Sequence, residues 1–223
     1  ADIYVRVRSY SGTTGGYTLD VDQVDPSTRD PLESLNWDSA NNVPFVDTNG
    51  DGRGDTAYVY FAPAGENFGE KEPDGTTPMT TYGWTDWQIE GVMNALKQYE
   101  NILGVKYVIT SDVEQATFRM LTTQNQAYGA RFYPQDPAYG EQAGIGSFNL
   151  ASGGFGTRPE SLVQGGFSYA VVLHEFGHAH GIAHPHDNGG GSEIMLGVTG
   201  STGSYGVYNL NQGVYTVMSY NDA

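Results

Sequence analysis

Residues 174–184 read His-Glu-Phe-Gly-His-Ala-His-Gly-Ile-Ala-His, and no other stretch constrains the chain so tightly. On a helix, His174 and His178 stand four residues apart and point the same way. That spacing lets two imidazoles hold one zinc ion, with Glu175 beside them as a general base. Gly181 ends the helix, because glycine accepts the left-handed conformation that a sharp exit requires. The turn brings His184 back to the same metal as a third nitrogen ligand, which completes the pattern H-E-x-x-H-x-x-G-x-x-H. All five histidines of the chain fall between 174 and 186. A histidine-rich surface helix would not need Glu175 and Gly181 in register with them.

Composition narrows the partners. A length of 223 residues suits one large domain, or one domain with an appendage. The net charge of −16 argues against nucleic acid and against anionic membranes. The absence of cysteine excludes a disulfide framework and a thiolate metal site. No stretch approaches the length of a transmembrane helix. The chain holds 31 glycines but only 10 lysines and arginines. Chains rich in Gly, Asp and Asn and poor in Lys are common among secreted, calcium-stabilised proteins.

Residues 2–8 and 17–24 alternate as strands around a Gly/Ser/Thr turn at 11–16. Residues 1–25 are therefore expected to form an N-terminal β-hairpin. It is either the remnant of a small β module or a strand pair packed on the main domain. Residues 25–36, with Pro26 and Pro31, read as a linker. Asp47, Asn49, Asp51 and Asp55 then alternate around Gly52, with Arg53 placed to offer a backbone carbonyl. This is the front half of a calcium loop. Its twelfth position is Tyr58 rather than an acid, which argues against a complete helix–loop–helix hand. The expectation is a Ca²⁺ site closed by an oxygen from elsewhere, and the alternative is an acidic turn that binds nothing.

Residues 57–62 are aromatic and β-branched and read as a buried strand. Residues 63–82 read as a long polar loop. Thr85-x-x-Gln88 is a capping box, which opens a helix. Trp84, Trp87, Val92, Ala95, Leu96, Tyr99 and Leu103 give it an apolar stripe, and Gly104 closes it. Strands follow at 105–110, 116–122, 128–133 and 146–150, then a Gly/Ser-rich loop at 151–166. The histidine helix is expected from about Ser168 to Gly181, burying Tyr169, Val172, Leu173 and Phe176. This element order indicates an α+β domain.

Near the end stands Tyr215-Thr-Val-Met218-Ser-Tyr220. A downstream Met in a tight turn, joined to the extended histidine motif, resembles the metzincin zinc metalloproteases. Val-Met-Ser-Tyr, together with His184-Pro185, is similar to the serralysin branch. The resemblance covers 31–223, from Leu35-Asn36-Trp37 onward. It implies a metzincin-type catalytic domain: a mixed, mostly parallel twisted sheet, a long core helix and a zinc-binding active-site helix. It further implies His174, His178 and His184 as zinc ligands, Glu175 as general base, and Met218 as the floor beneath the metal. Tyr220 would be a ligand that swings away to steady the oxyanion, and residues 128–133 the edge strand that pairs with substrate backbone. The implied protein is a secreted, monomeric endopeptidase acting on proteins or peptides. The competing reading is a catalytically silent, calcium-stabilised surface or adhesion module that keeps the fold. His180 departs from the family pattern and is read as a solvated or second-shell group, not a ligand. His186 is read as a rim residue or an adventitious metal site.

Overall fold

A computed structural model describes residues 30–37, 47, 50–124 and 127–221. The expected N-terminal hairpin lies outside the described residues, as does Asn49.

The sheet is built from β1 (Thr56–Phe61), β2 (Thr81–Tyr82), β3 (Lys106–Ile109), β4 (Phe118–Thr123), β5 (Ala130–Phe132) and β6 (Ile145–Asn149). Its order is β3-β1-β4-β6-β5, and β2 continues the β1 side of β4. The β1–β3, β1–β4 and β4–β6 pairs are parallel, whereas β2–β4 and β5–β6 are antiparallel. This is a mixed α+β fold with a mostly parallel sheet. Strand β4 sits in the middle and reads as a nearly continuous buried run, Phe118 through Thr123 with only Arg119 less covered, as a strand covered on both faces must. Strand β2 was missed by sequence, because two residues inside a proline-bearing polar loop carry no periodicity.

Helix α1 (Asp86–Leu103) starts at the capping box. Gln88 accepts the Thr85 amide at 2.9 Å, and Gly104 ends the helix at φ +71°. Its stripe of Val92, Ala95, Leu96 and Tyr99 meets Ala57, Val59, Phe118, Met120 and Phe148 of the sheet. Each fully buried Val or Leu contributes about 1.5–3 kcal/mol. Helix α2 (Phe167–Ala179) adds Val172 and Phe176 to the same core. The Tyr99 hydroxyl donates to the Leu173 carbonyl at 2.5 Å and ties the two helices together. On the opposite sheet face, Leu121 and Ile145 pack with Ala62 and Met79, so the 63–80 loop serves as a cover.

Residues 30–37 correct the linker reading. Pro31–Leu35 is a 3-10 helix with proline in its first turn, capped by Asp30, whose carboxylate accepts the Leu32 amide at 2.9 Å. The following residues dock on the chain just past α2. Trp37 N–H donates to Gly181 O at 3.0 Å, and Ala183 N–H donates to Leu35 O at 2.9 Å. Proline here fixes a first turn rather than marking a free tether.

Candidate metal centre and cleft

The site is set by how α2 ends. Gly181 N–H donates to His178 O and Ile182 N–H to Gly177 O, both at 2.9 Å, with Gly181 at φ +80°. This is a Schellman ending, and it reverses the chain within a few residues. The docked 35–37 segment then pins residues 181–183 from outside. Together these contacts return His184 to the helix face that carries His174 and His178.

The three imidazoles converge. His184 Nε2 lies 3.1 Å from His174 Nε2 and 3.0 Å from His178 Nε2. Each Nδ1 faces an oxygen: His174 to Val217 O at 2.7 Å, His178 to Ile182 O at 2.8 Å, His184 to Asp187 Oδ2 at 2.8 Å. An Nδ1 facing an acceptor carries the proton, which leaves each Nε2 as a lone pair. Three lone pairs cannot hydrogen-bond one another, but they can share a cation. Two nitrogens held tetrahedrally at zinc–nitrogen bond length stand about 3.3 Å apart, close to what is found. The His174/His178/His184 group could therefore hold a metal ion. Burial also holds His174 down at about 4 and His178 at about 3, so both rings are neutral at physiological pH, as ligands must be.

Glu175 is 6% exposed, and its Oε2 is buried with no hydrogen-bond partner among the described residues. Burial pushes its carboxyl up to about 8 in the metal-free chain, opposed by the positive charge of Arg131. An orphaned carboxylate oxygen beside three converging lone pairs fits a site made for a cation and a proton transfer.

Beneath the helix, Met218 is fully buried. A side chain at Gly177 would begin 2.6 Å from its sulfur, so glycine lets the turn press against α2. Above, the Tyr220 ring lies 4.9 Å from that of His184 and 5.6 Å from that of His174. Burial raises the Tyr220 pKa, with the negative charges of Glu175 and Asp187 adding to it, so its hydroxyl stays protonated. Two cavities meet here. One, of about 530 Å³, is bordered by Trp37, Phe132, Tyr139, Glu175 and His184. The other, of about 790 Å³, is bordered by Ala130, Phe167, Val171, Val217 and Tyr220. Strand β5 borders both, at the end of the sheet.

The solvated reading of His180 is corrected. Its ring packs against Tyr99, Tyr107 and Phe118, and its Nε2 pairs with the Tyr107 hydroxyl at 2.5 Å. The helix ends at Ala179, so His180 turns into the core rather than outward. It is not one of the three converging rings.

In the 47–55 segment, both Asp47 carboxylate oxygens accept backbone amides: Oδ1 from Gly50 at 2.7 Å and Asp51 at 3.1 Å, Oδ2 from Gly52 at 2.7 Å. Asp51 accepts the Arg53 amide at 2.9 Å. Among the described residues, Asp47, Asp51 and Asp55 do not converge as a metal-binding group.

Sequence reasoning missed Asp187, Trp37 and Arg131. Asp187 orients His184. Trp37 borders the cleft, with its indole N–H donating to buried Asp136 at 3.0 Å. Arg131, on β5, is ion-paired to buried Glu70 and lies over the Tyr128 and Tyr133 rings. Only Asp187, three residues past His184, left a local signal; the others depend on contacts across the fold.

No protein-family model and no curated protein matches the chain. Solved structures do match, among them two of myroilysin. One has 16% identity and a TM-score of 0.41, covering 66% of this chain and 54% of that one. The other has 17% identity and a TM-score of 0.37, covering 75% and 60%. The chain thus spans a little over half the length of these neighbours. Likeness at this level identifies no family. Among the described residues, no helix is long and apolar enough to cross a membrane.

Proposed function

We propose that the chain is a secreted, monomeric zinc endopeptidase of the metzincin type, serralysin-like, that cleaves proteins or peptides. One observation carries this reading: three imidazole Nε2 atoms converge, each with its Nδ1 anchored, beside a buried carboxylate with an oxygen left unpartnered. His174, His178 and His184 would hold the zinc. Bound there, zinc would supply an acidified water and a Lewis-acid contact for the scissile carbonyl.

The chain's own residues do the rest. Glu175 takes the proton of the attacking water and returns it to the leaving amine. Its burial makes it a stronger base than a solvated carboxylate, and it excludes competing water. The Tyr220 hydroxyl, held protonated, donates to the oxygen of the tetrahedral centre. The outer edge of β5 accepts an extended substrate backbone as one more strand. The Val217 carbonyl holds His174, and fully buried Met218 packs under Gly177 of the same helix.

The test is Glu175→Gln. The variant should keep about one zinc per chain while casein cleavage falls about 10²–10⁴-fold. Undiminished cleavage would remove Glu175 from the chemistry. A zinc-loaded wild type that cleaves no unfolded protein would favour the silent module instead. Within the same proposal, Asp47, Asn49, Asp51, the Arg53 carbonyl and Asp55 would draw together on Ca²⁺ in solution, with an oxygen from elsewhere closing the site. Added Ca²⁺ should then raise the melting temperature, and a melting temperature indifferent to Ca²⁺ would leave the segment a turn.

A further inference from the structure

His186 stands outside the three converging imidazoles. Its ring stacks on that of His184 at 4.7 Å and 16°, and lies 4.6 Å from that of Tyr220. The side chain is only 7% exposed, and its Nδ1 has no partner among the described residues. Its Nε2 faces Asp187 Oδ2 at 3.7 Å, which is too long for a hydrogen bond. A histidine nitrogen and a carboxylate oxygen on one tetrahedral zinc stand about 3.4 Å apart. The pair is therefore already near the separation that an intervening cation would set. Asp187 is 43% exposed on its side chain and borders the cleft, which leaves an ion a way in. The ligand atoms of His184, His186 and Asp187 all lie within 4.8 Å of one another.

We propose that His186 and Asp187 form a second, weaker zinc site on the rim of the cleft, through which excess zinc inhibits. The two sites are coupled by one atom. Asp187 Oδ2 also accepts from His184 Nδ1 at 2.8 Å. A cation at the rim draws that oxygen away and loosens the hold on His184. The rim site stands on its own geometry, while the inhibition rests on the peptidase reading. Two protein ligands completed by water make the rim site weaker than a site of three imidazoles.

The test is equilibrium dialysis of the full chain against a range of free zinc, with bound zinc counted and casein cleavage measured in parallel. The wild type should bind one zinc tightly and a second at higher free zinc, with activity falling as the second fills. His186→Gln should bind one zinc fewer, keep its activity, and move the inhibition midpoint up by about tenfold or more. A His186→Gln chain that binds as many zinc ions as the wild type overturns the proposal. His178→Gln separates the two readings. Loss of the tight zinc alone supports both, and loss of both ions overturns the rim site. A tight zinc that survives His178→Gln counts against the three-imidazole centre and not against the rim.

Discussion

Replacing Gly177 by alanine adds one methyl group where α2 meets the turn below it. The new Cβ would lie 2.6 Å from Met218 Sδ, 3.6 Å from its Cε and 3.4 Å from the Tyr99 hydroxyl. The sulfur sits mid-chain in a fully buried residue, so it cannot swing into solvent. Overpacking of this kind costs about 1–3 kcal/mol. Alanine in place of glycine inside a helix returns about 1 kcal/mol. The metal-free variant should therefore be about 0–2 kcal/mol less stable than wild type. The displacement also has a direction. Met218 follows Val217, whose carbonyl accepts from His174 Nδ1 at 2.7 Å. Pushing the turn away moves that acceptor, and zinc affinity should fall about tenfold, as for loss of an outer-sphere partner. Urea unfolding of the metal-free protein measures the first effect, and a competing-chelator titration the second. A variant stabilised by about 1 kcal/mol, the bare propensity gain, with unchanged zinc affinity would refute this packing argument.

Asp187→Ala removes the acceptor for His184 Nδ1 and should weaken zinc binding about 10–100-fold, read by the same titration. An unchanged affinity would show that His184 is oriented by other contacts. His180 offers a pH test in the metal-free chain. Burial holds its folded-state pKa near 4, against 6.5 for the free group. The folded chain thus binds fewer protons there than the unfolded one. The associated stability is fully present above about pH 6.5 and is lost as pH falls toward 4. His174, His178 and His186 shift in the same direction, and Glu175, raised to about 8, shifts in the opposite one, so the wild-type slope is a sum over all these groups and only its change in the variant reports His180. His180→Phe should flatten the slope between pH 6.5 and 4, as measured by urea midpoints. A slope identical to wild type would contradict the burial assignment.

What could be read from sequence had local causes. Helix α1 announces itself through a capping box, a stripe and a closing glycine, all within its own residues. The exit of α2 is legible because Gly181 alone suits a positive φ at that point. The misreadings share the opposite cause. Pro31 looked like a linker because its partners lie near residue 182. His180 looked solvated because Tyr107 and Phe118 reach it only through the sheet. Strand β2 exists because β4 offers a free length beyond β1, which two residues can fill without any pattern of their own. In the cleft, the three converging imidazoles follow a fixed spacing. Trp37, Arg131 and Glu70 arrive from remote segments and carry no motif.

The chemistry proposed for this cleft requires three nitrogens to share one ion. X-ray absorption at the zinc edge of the loaded protein reads that coordination directly. It should report three imidazole nitrogens at about 2.0–2.1 Å and one or two light oxygen neighbours. A shell of oxygens alone, or one with fewer than three imidazoles, would contradict it.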